Sequence, residues 1–208
     1  MIEGIKHIIF DLGGVLLNID YQLTEKAFSD LGVKDFNNIY TQLNQSKIFD
    51  EFETGKITEG EFIEALKSKC NNGVSNEQII AAWNAMLLDL PLRRLQILQQ
   101  LRIHFDLILL SNTNSIHEQA FNAIISNAHH VLLPTFFDRV YYSHRVGLRK
   151  PDTALFQQVL DDCGFQPAAT LFIDDSPQHI EGAKKLGIQT IHLTKEMTIE
   201  KDIFKPKA

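Results

Sequence analysis

With 208 residues, the chain is long enough for one ordinary domain with a sizeable core, or for such a core and a modest insertion. A hydrophobic share of 44% and a charged share of 22% are those of a soluble globular protein. The formal net charge of -6 argues against a general nucleic-acid binder, because no basic excess meets a phosphate backbone, yet it leaves room for a local cationic pocket.

Ile5 to Phe10 predict a short buried strand, dominated by β-branched residues, that stops at Asp11. Open α/β sheets place their ligands at the carboxyl ends of strands, which is where Asp11 sits. Gly13 and Gly14 then let the backbone turn and come close to a ligand. From here the pattern is helical for a long way. Asp20 suits the cap of a helix to about Leu31, and another helix is expected from about Asp35 to Gln45. Thr58 with Glu61, and Ser75 with Gln78, have capping-box spacing ahead of apolar faces. No strand is predicted in this section, so residues 19–90 are expected to be an all-helical cap domain, inserted into an α/β core made of residues 1–18 and 91–208.

The α/β rhythm resumes at Pro91, which suits the first turn of a helix to about His104. Strands are expected over Asp106–Leu110, Arg139–Tyr142, Ala169–Ile173 and Gln189–Leu193, with helices over Ser115–Ser126, from Pro151 to Cys163 and from Ser176 to Leu186. The tail from Thr194 reads as polar and irregular. This alternation predicts a Rossmann-like parallel sheet with helices on both faces. Cys70 and Cys163 stand far apart and read as reduced thiols. The apolar run at the start is too short for a signal-peptide core, and no stretch approaches bilayer length, so a cytoplasmic protein without membrane partners is expected.

Three of the strands end in polar residues: Asp11, Ser111-Asn112 and Asp174-Asp175. A parallel sheet gathers such ends on one edge. Carboxylates meeting there repel unless a cation sits between them, and all-oxygen ligation beside phosphate suits Mg²⁺. Lys150 adds a positive charge if its loop folds over the same edge. His129-His130 resembles a zinc pair but lacks partners at ligand spacing and reads as loop. Asp50, Glu51 and Glu53 read most simply as a solvated helix face, with a substrate-facing loop of the cap near Gly55.

The stretches Phe10-Asp11-Leu12-Gly13-Gly14-Val15, Leu110-Ser111-Asn112-Thr113, Gly147-Leu148-Arg149-Lys150-Pro151 and Phe172-Ile173-Asp174-Asp175-Ser176 together resemble the haloacid dehalogenase superfamily, most of whose members are phosphatases. The order and spacing agree along essentially the full length, and the likeness is greatest to the bacterial branch with an α-D-glucose-1-phosphate phosphatase. The resemblance implies that Asp11 attacks phosphorus and carries the phosphoryl group. It implies Mg²⁺ held by Asp11, Asp175 and the Gly13 carbonyl, with Asp174 acting directly or through water. Ser111 would hydrogen-bond a phosphoryl oxygen, with Asn112 helping through its backbone, and Lys150 would offset the charge of Asp11 and phosphate together.

Gly13 departs from the pattern, standing where most such phosphatases carry a second aspartate that protonates the leaving oxygen. Asp20, Glu51 or Glu53 would have to substitute. Otherwise turnover should depend steeply on leaving-group acidity, favouring aryl, acyl or anomeric phosphates. His179, where similar enzymes often have asparagine, has either a packing or a catalytic role. The function expected is a Mg²⁺-dependent phosphatase, working as a monomer or homodimer on a small phosphorylated metabolite such as a sugar phosphate. The alternatives are a metal-independent 2-haloacid dehalogenase and a catalytically weak phosphometabolite-binding module.

Overall fold

A computed structural model of the chain describes residues 3–33 and 47–205, so the helix expected from Asp35 to Gln45 lies outside the described residues. Among these residues, five parallel strands form one sheet: β1 (His7–Phe10), β2 (Asp106–Ser111), β3 (Arg139–Tyr142), β4 (Thr170–Asp174) and β5 (Gln189–His192), in the order β3-β2-β1-β4-β5. The strand pleat divides the core in two. Ile8 and Phe10 join Leu107, Leu109, Leu171 and Ile173 in one apolar layer, while Ile9 joins Ile108, Leu110 and Phe172 in the other. β1 is central and buried on both faces, which is why its sequence is apolar without alternation.

Between β1 and β2 the described chain is helical: α1 (Tyr21–Asp30), α2 (Ile48–Glu53), α3 (Glu59–Lys67), α4 (Asn76–Asn84) and α5 (Leu92–Leu101). Asp20 caps α1, and both expected capping boxes are present, Thr58–Glu61 on α3 and Ser75–Gln78 on α4. The first four helices share a core of their own, in which Phe52 stacks on Phe62 at 4.1 Å and Phe49 on Trp83 at 5.6 Å. The two chain connections to this section run side by side. Asn18 N donates to Asp89 O (2.8 Å), Leu88 N donates to Asn18 O (3.0 Å), and Ile19 forms an antiparallel bridge with Leu87.

After β2 come α6 (Ser115–His129), α7 (Ser143–Val146), α8 (Thr153–Cys163) and α9 (Pro177–Lys184). Leu95 and Leu98 of α5, with Phe121 and Ile125 of α6, cover the first layer. Leu155, Phe156 and Val159 of α8, with Ile180 of α9, cover the second. The expected loop at His129-His130 is instead the end of α6, where His129 Nε2 donates to Leu90 O at 2.7 Å. No described helix is long and apolar enough to cross a membrane.

The tail corrects another expectation. Ile199–Ile203 form a turn of π-helix, and Ile199 is fully buried in the first layer. Arg94 of α5, itself buried, holds that turn through Glu200 (Nε to Oε2, 3.0 Å) and donates to Leu16 O and Asn18 Oδ1, both at 3.0 Å. One buried guanidinium thus ties the tail to the segment that leaves β1. Arg94→Met should lower unfolding free energy by roughly 2–3 kcal/mol, since three acceptors lose their donor. The urea midpoint measures this, and an unchanged midpoint would show the tail to be dispensable.

Candidate active site

The register places the polar strand ends together. Phe10 pairs with Leu109 on one side and Ile173 on the other, so Asp11, one residue on, is level with Leu110 and Asp174. Asp11 N still donates to Ile173 O at 3.0 Å, which continues the ladder up to the carboxylate. The next residue leaves the sheet, and Leu12 N donates to Asp11 Oδ1 at 2.7 Å. Gly14 has φ +74, and a Cβ there would collide with Asp175 Oδ2, so only glycine lets this turn pass beneath the Asp175 carboxylate.

Lys150 is completely buried, and its ammonium uses every proton. It meets Asp11 Oδ1 at 2.8 Å and donates to Asp174 Oδ2 at 2.7 Å and Leu110 O at 3.0 Å. The other side of Asp174 accepts from Ser176 N (2.7 Å) and His179 Nδ1 (2.9 Å). Burial alone would raise Asp174, but Lys150 and His179 outweigh it and hold the carboxyl far below the usual range. Burial would likewise lower Lys150, but Asp11 and Asp174 outweigh it and hold the ammonium above its ordinary value. Asp11 is less well served: burial, reinforced by Asp174 and only partly offset by Lys150, pushes it up to about 8. Asp175 is raised too, by partial enclosure and by Asp174 beside it.

Three carboxylates therefore stand against one ammonium and one imidazole. Oxygen atoms of Asp11 and Asp174 and a ring nitrogen of His179 fall within 4.8 Å of one another. Burial first, and the neighbouring carboxylates after it, raise Asp11 and Asp175, and the carboxylate oxygens gathered here suit a divalent ion such as Mg²⁺.

This cluster floors a cavity of about 520 Å³, with Asp11, Gly13, Ser111, Asn112, Asp175 and His179 on the sheet side. Tyr21, Thr24 and Glu25 of α1, Glu53 of α2 and Trp83 of α4 face them from the helical section. Lys150 and Asp174 lie beneath the floor. The Asn112 side chain clasps the Lys150 backbone, with Oδ1 accepting from Lys150 N and Nδ2 donating to Lys150 O, both at 2.9 Å. The adjoining Thr113 is clasped in the same way by Ser143 Oγ, at 2.9 Å in each direction.

Two of the residues read as a solvated helix face are ion-paired to the core instead. Asp50 Oδ1 pairs with Arg149 Nη1, and Glu53 Oε2 lies 2.9 Å from Arg149 Nη2. Glu51 does not reach the cavity wall, and Asp20 is taken up by capping α1, where it accepts from Gln22 N at 3.0 Å. His117 of α6 carried no signal in the sequence. Buried in the wall, it bonds to Trp83 O through Nε2 at 3.1 Å, and burial lowers it to about 4, so it is neutral at pH 7.

Comparison with known proteins agrees with this geometry. Residues 5–187 match the model of the haloacid dehalogenase-like hydrolases. The chain is 32% identical over 186 residues to a D-ribitol-5-phosphate phosphatase of Bacteroides thetaiotaomicron, covering 89% of this chain and 90% of that protein. A haloacid dehalogenase family enzyme from the same bacterium, crystallised with magnesium and inorganic phosphate, superposes with a TM-score of 0.83 at 35% identity, over 93% of this chain and 96% of that one. An L-2-haloacid dehalogenase of Xanthobacter autotrophicus shares the fold alone, with a TM-score of 0.60 at 21% identity over 91% of this chain and 77% of that one. A match that takes in all the strand ends around the cavity, β1, β2 and β4 alike, shows that the chain belongs to the haloacid dehalogenase-like hydrolases.

Proposed function

We propose that this hydrolase is a Mg²⁺-dependent phosphatase that removes phosphate from a small phosphorylated polyol or sugar, with Asp11 as nucleophile. One observation carries the reading: Asp11 and Asp175 line the cavity floor with Asp174 beneath it, and the buried Lys150 cannot balance all three. That charge pattern suits a divalent cation and a phosphoryl group, and it has no use in displacing halide from carbon.

In the reaction, Asp11 attacks phosphorus and carries the phosphoryl group as an aspartyl-phosphate, and water then releases it. Lys150, held by Asp174 and by the Asn112 clasp, keeps the Asp11 oxygen oriented and its charge offset. Ser111 and Asn112 line the floor where phosphoryl oxygens would bind. Asp11, Asp175 and the Gly13 carbonyl would hold Mg²⁺, with Asp174 contributing through water because its oxygens already accept from Lys150, Ser176 and His179. Bound there, the ion neutralises charge on the phosphoryl oxygens. Residues 19–90 act as a lid over this floor, hinged on the paired connections at Asn18–Ile19 and Leu87–Asp89 and excluding water when shut.

Tyr21 and Glu25 of the lid present polar side chains to the cavity, which favours a polyol or sugar over an apolar ester. The D-ribitol-5-phosphate phosphatase relative supports the same class. The test is phosphate release from a panel that includes ribitol 5-phosphate, glucose 1-phosphate, other five- and six-carbon phosphates, nucleotides and phosphoamino acids. Polyol and sugar phosphates should lead in kcat/KM. A lead by nucleotides or phosphoamino acids would overturn the substrate class.

A further inference from the structure

We propose that Glu53, brought in on the last turn of α2, is the general acid–base of this site, taking the place of the carboxylate that Gly13 does not supply. The inference rests on the phosphatase reading. It starts from a chemical need: a polyol 5-phosphate releases an alkoxide, a poor leaving group that requires a proton as the ester bond breaks. Nothing at Gly13 can give one.

Glu53 has the right place. It lines the same cavity as Asp11 and Asp175, and its carboxylate stands 2.9 Å from Arg149, the residue next to Lys150. α2 is fixed on the core there. Gly55, with φ +68, passes so close to the His144 carbonyl oxygen that a Cβ would collide with it, and Arg149 also pairs with Asp50. Sharing one guanidinium between two carboxylates leaves Glu53 less strongly charge-stabilised than a private ion pair would. The charged groups facing Glu53 are Arg149 and Lys150 from the α7–α8 loop and Glu25 on α1, with the neutral imidazole of His117 on α6 across the cavity. Burial, partly offset by Lys150, pushes Glu53 up to about 7, where a carboxyl can both give and take a proton at neutral pH.

In the first step an Asp11 oxygen bonds to phosphorus. The ester P–O bond breaks, its electron pair goes to the leaving oxygen, and that oxygen takes the Glu53 proton. In the second step water bonds to phosphorus and gives its proton to the Glu53 carboxylate, while the P–O bond to Asp11 breaks. Both carboxyls return to their starting states, and the sum is ester plus water to alcohol plus phosphate.

The test is a series of esters from p-nitrophenyl phosphate to ribitol 5-phosphate and glycerol 3-phosphate, run with Mg²⁺ on wild type, Glu53→Gln, Glu53→Asp and Asp50→Asn. For Glu53→Gln, kcat/KM on the alkyl esters should fall about a hundred- to ten-thousand-fold, and on p-nitrophenyl phosphate less than about tenfold. The descending limb of alkyl-ester kcat/KM above about pH 7 should vanish with it, because the protonated form is the donor. Glu53→Asp should recover part of the alkyl rate. Asp50→Asn, which loosens the same Arg149 contact without removing the carboxyl, should shift aryl and alkyl esters by one common factor. A common factor for Glu53→Gln as well would overturn the proposal while leaving the phosphatase reading standing. No phosphate release from any ester by wild type would remove both.

Discussion

Asp11→Asn is expected to lose phosphate release by at least about ten-thousand-fold while the protein stays folded. The amide matches the carboxylate in shape and can still offer an oxygen to Lys150 and to Leu12 N, so the strand end and its hydrogen bonds survive. It cannot attack phosphorus. Stability supplies a second readout. In metal-free protein the three carboxylates repel, so removing one charge should leave the thermal midpoint equal to or above that of wild type. Turnover within a factor of ten of wild type, in a preparation free of other phosphatases, would rule out Asp11 as nucleophile.

Asp175→Ala is expected to raise the Mg²⁺ concentration for half-maximal activity by at least about tenfold and to cut turnover at saturating metal by about a hundred- to a thousandfold. Asp175 faces the cavity and supports no strand or helix, so the loss should fall on the metal and not on the fold. Its position depends on Gly14, and Gly14→Ala should give a milder form of the same defect by pushing the carboxylate aside. A Mg²⁺ titration unchanged in Asp175→Ala would move the metal site to Asp174 and His179, the other groups near Asp11.

The parts of the site that are legible in the sequence are those set by short-range rules. Asp11 and Asp174-Asp175 end apolar runs that only buried strands explain, and parallel pairing then brings those ends to one edge. The capping boxes at Thr58 and Ser75 work for the same reason, since each is complete within four residues. Arg149 with Asp50 shows the limit. The partners are 99 residues apart, and on its own the acidic stretch of α2 looks like any solvated helix face. The Asn112 side chain, expected to matter mainly through its backbone, grips the Lys150 peptide 38 residues away. His117 is a lone histidine on a helix until Trp83 is folded against it, with ring centroids 4.9 Å apart. The tail misled because Met197, Ile199, Ile203 and Phe204 are scattered among charged residues, too few to set a period that would betray the burial of Ile199.

Phosphate release from p-nitrophenyl phosphate, followed on metal-stripped enzyme before and after Mg²⁺ is restored, most directly tests whether the carboxylate cluster serves metal-dependent phosphoryl transfer. Activity should stay at background in EDTA and rise at least about a hundredfold with Mg²⁺, with no chloride released from chloroacetate in either condition. Undiminished phosphate release in EDTA, or chloride release without metal, would contradict it.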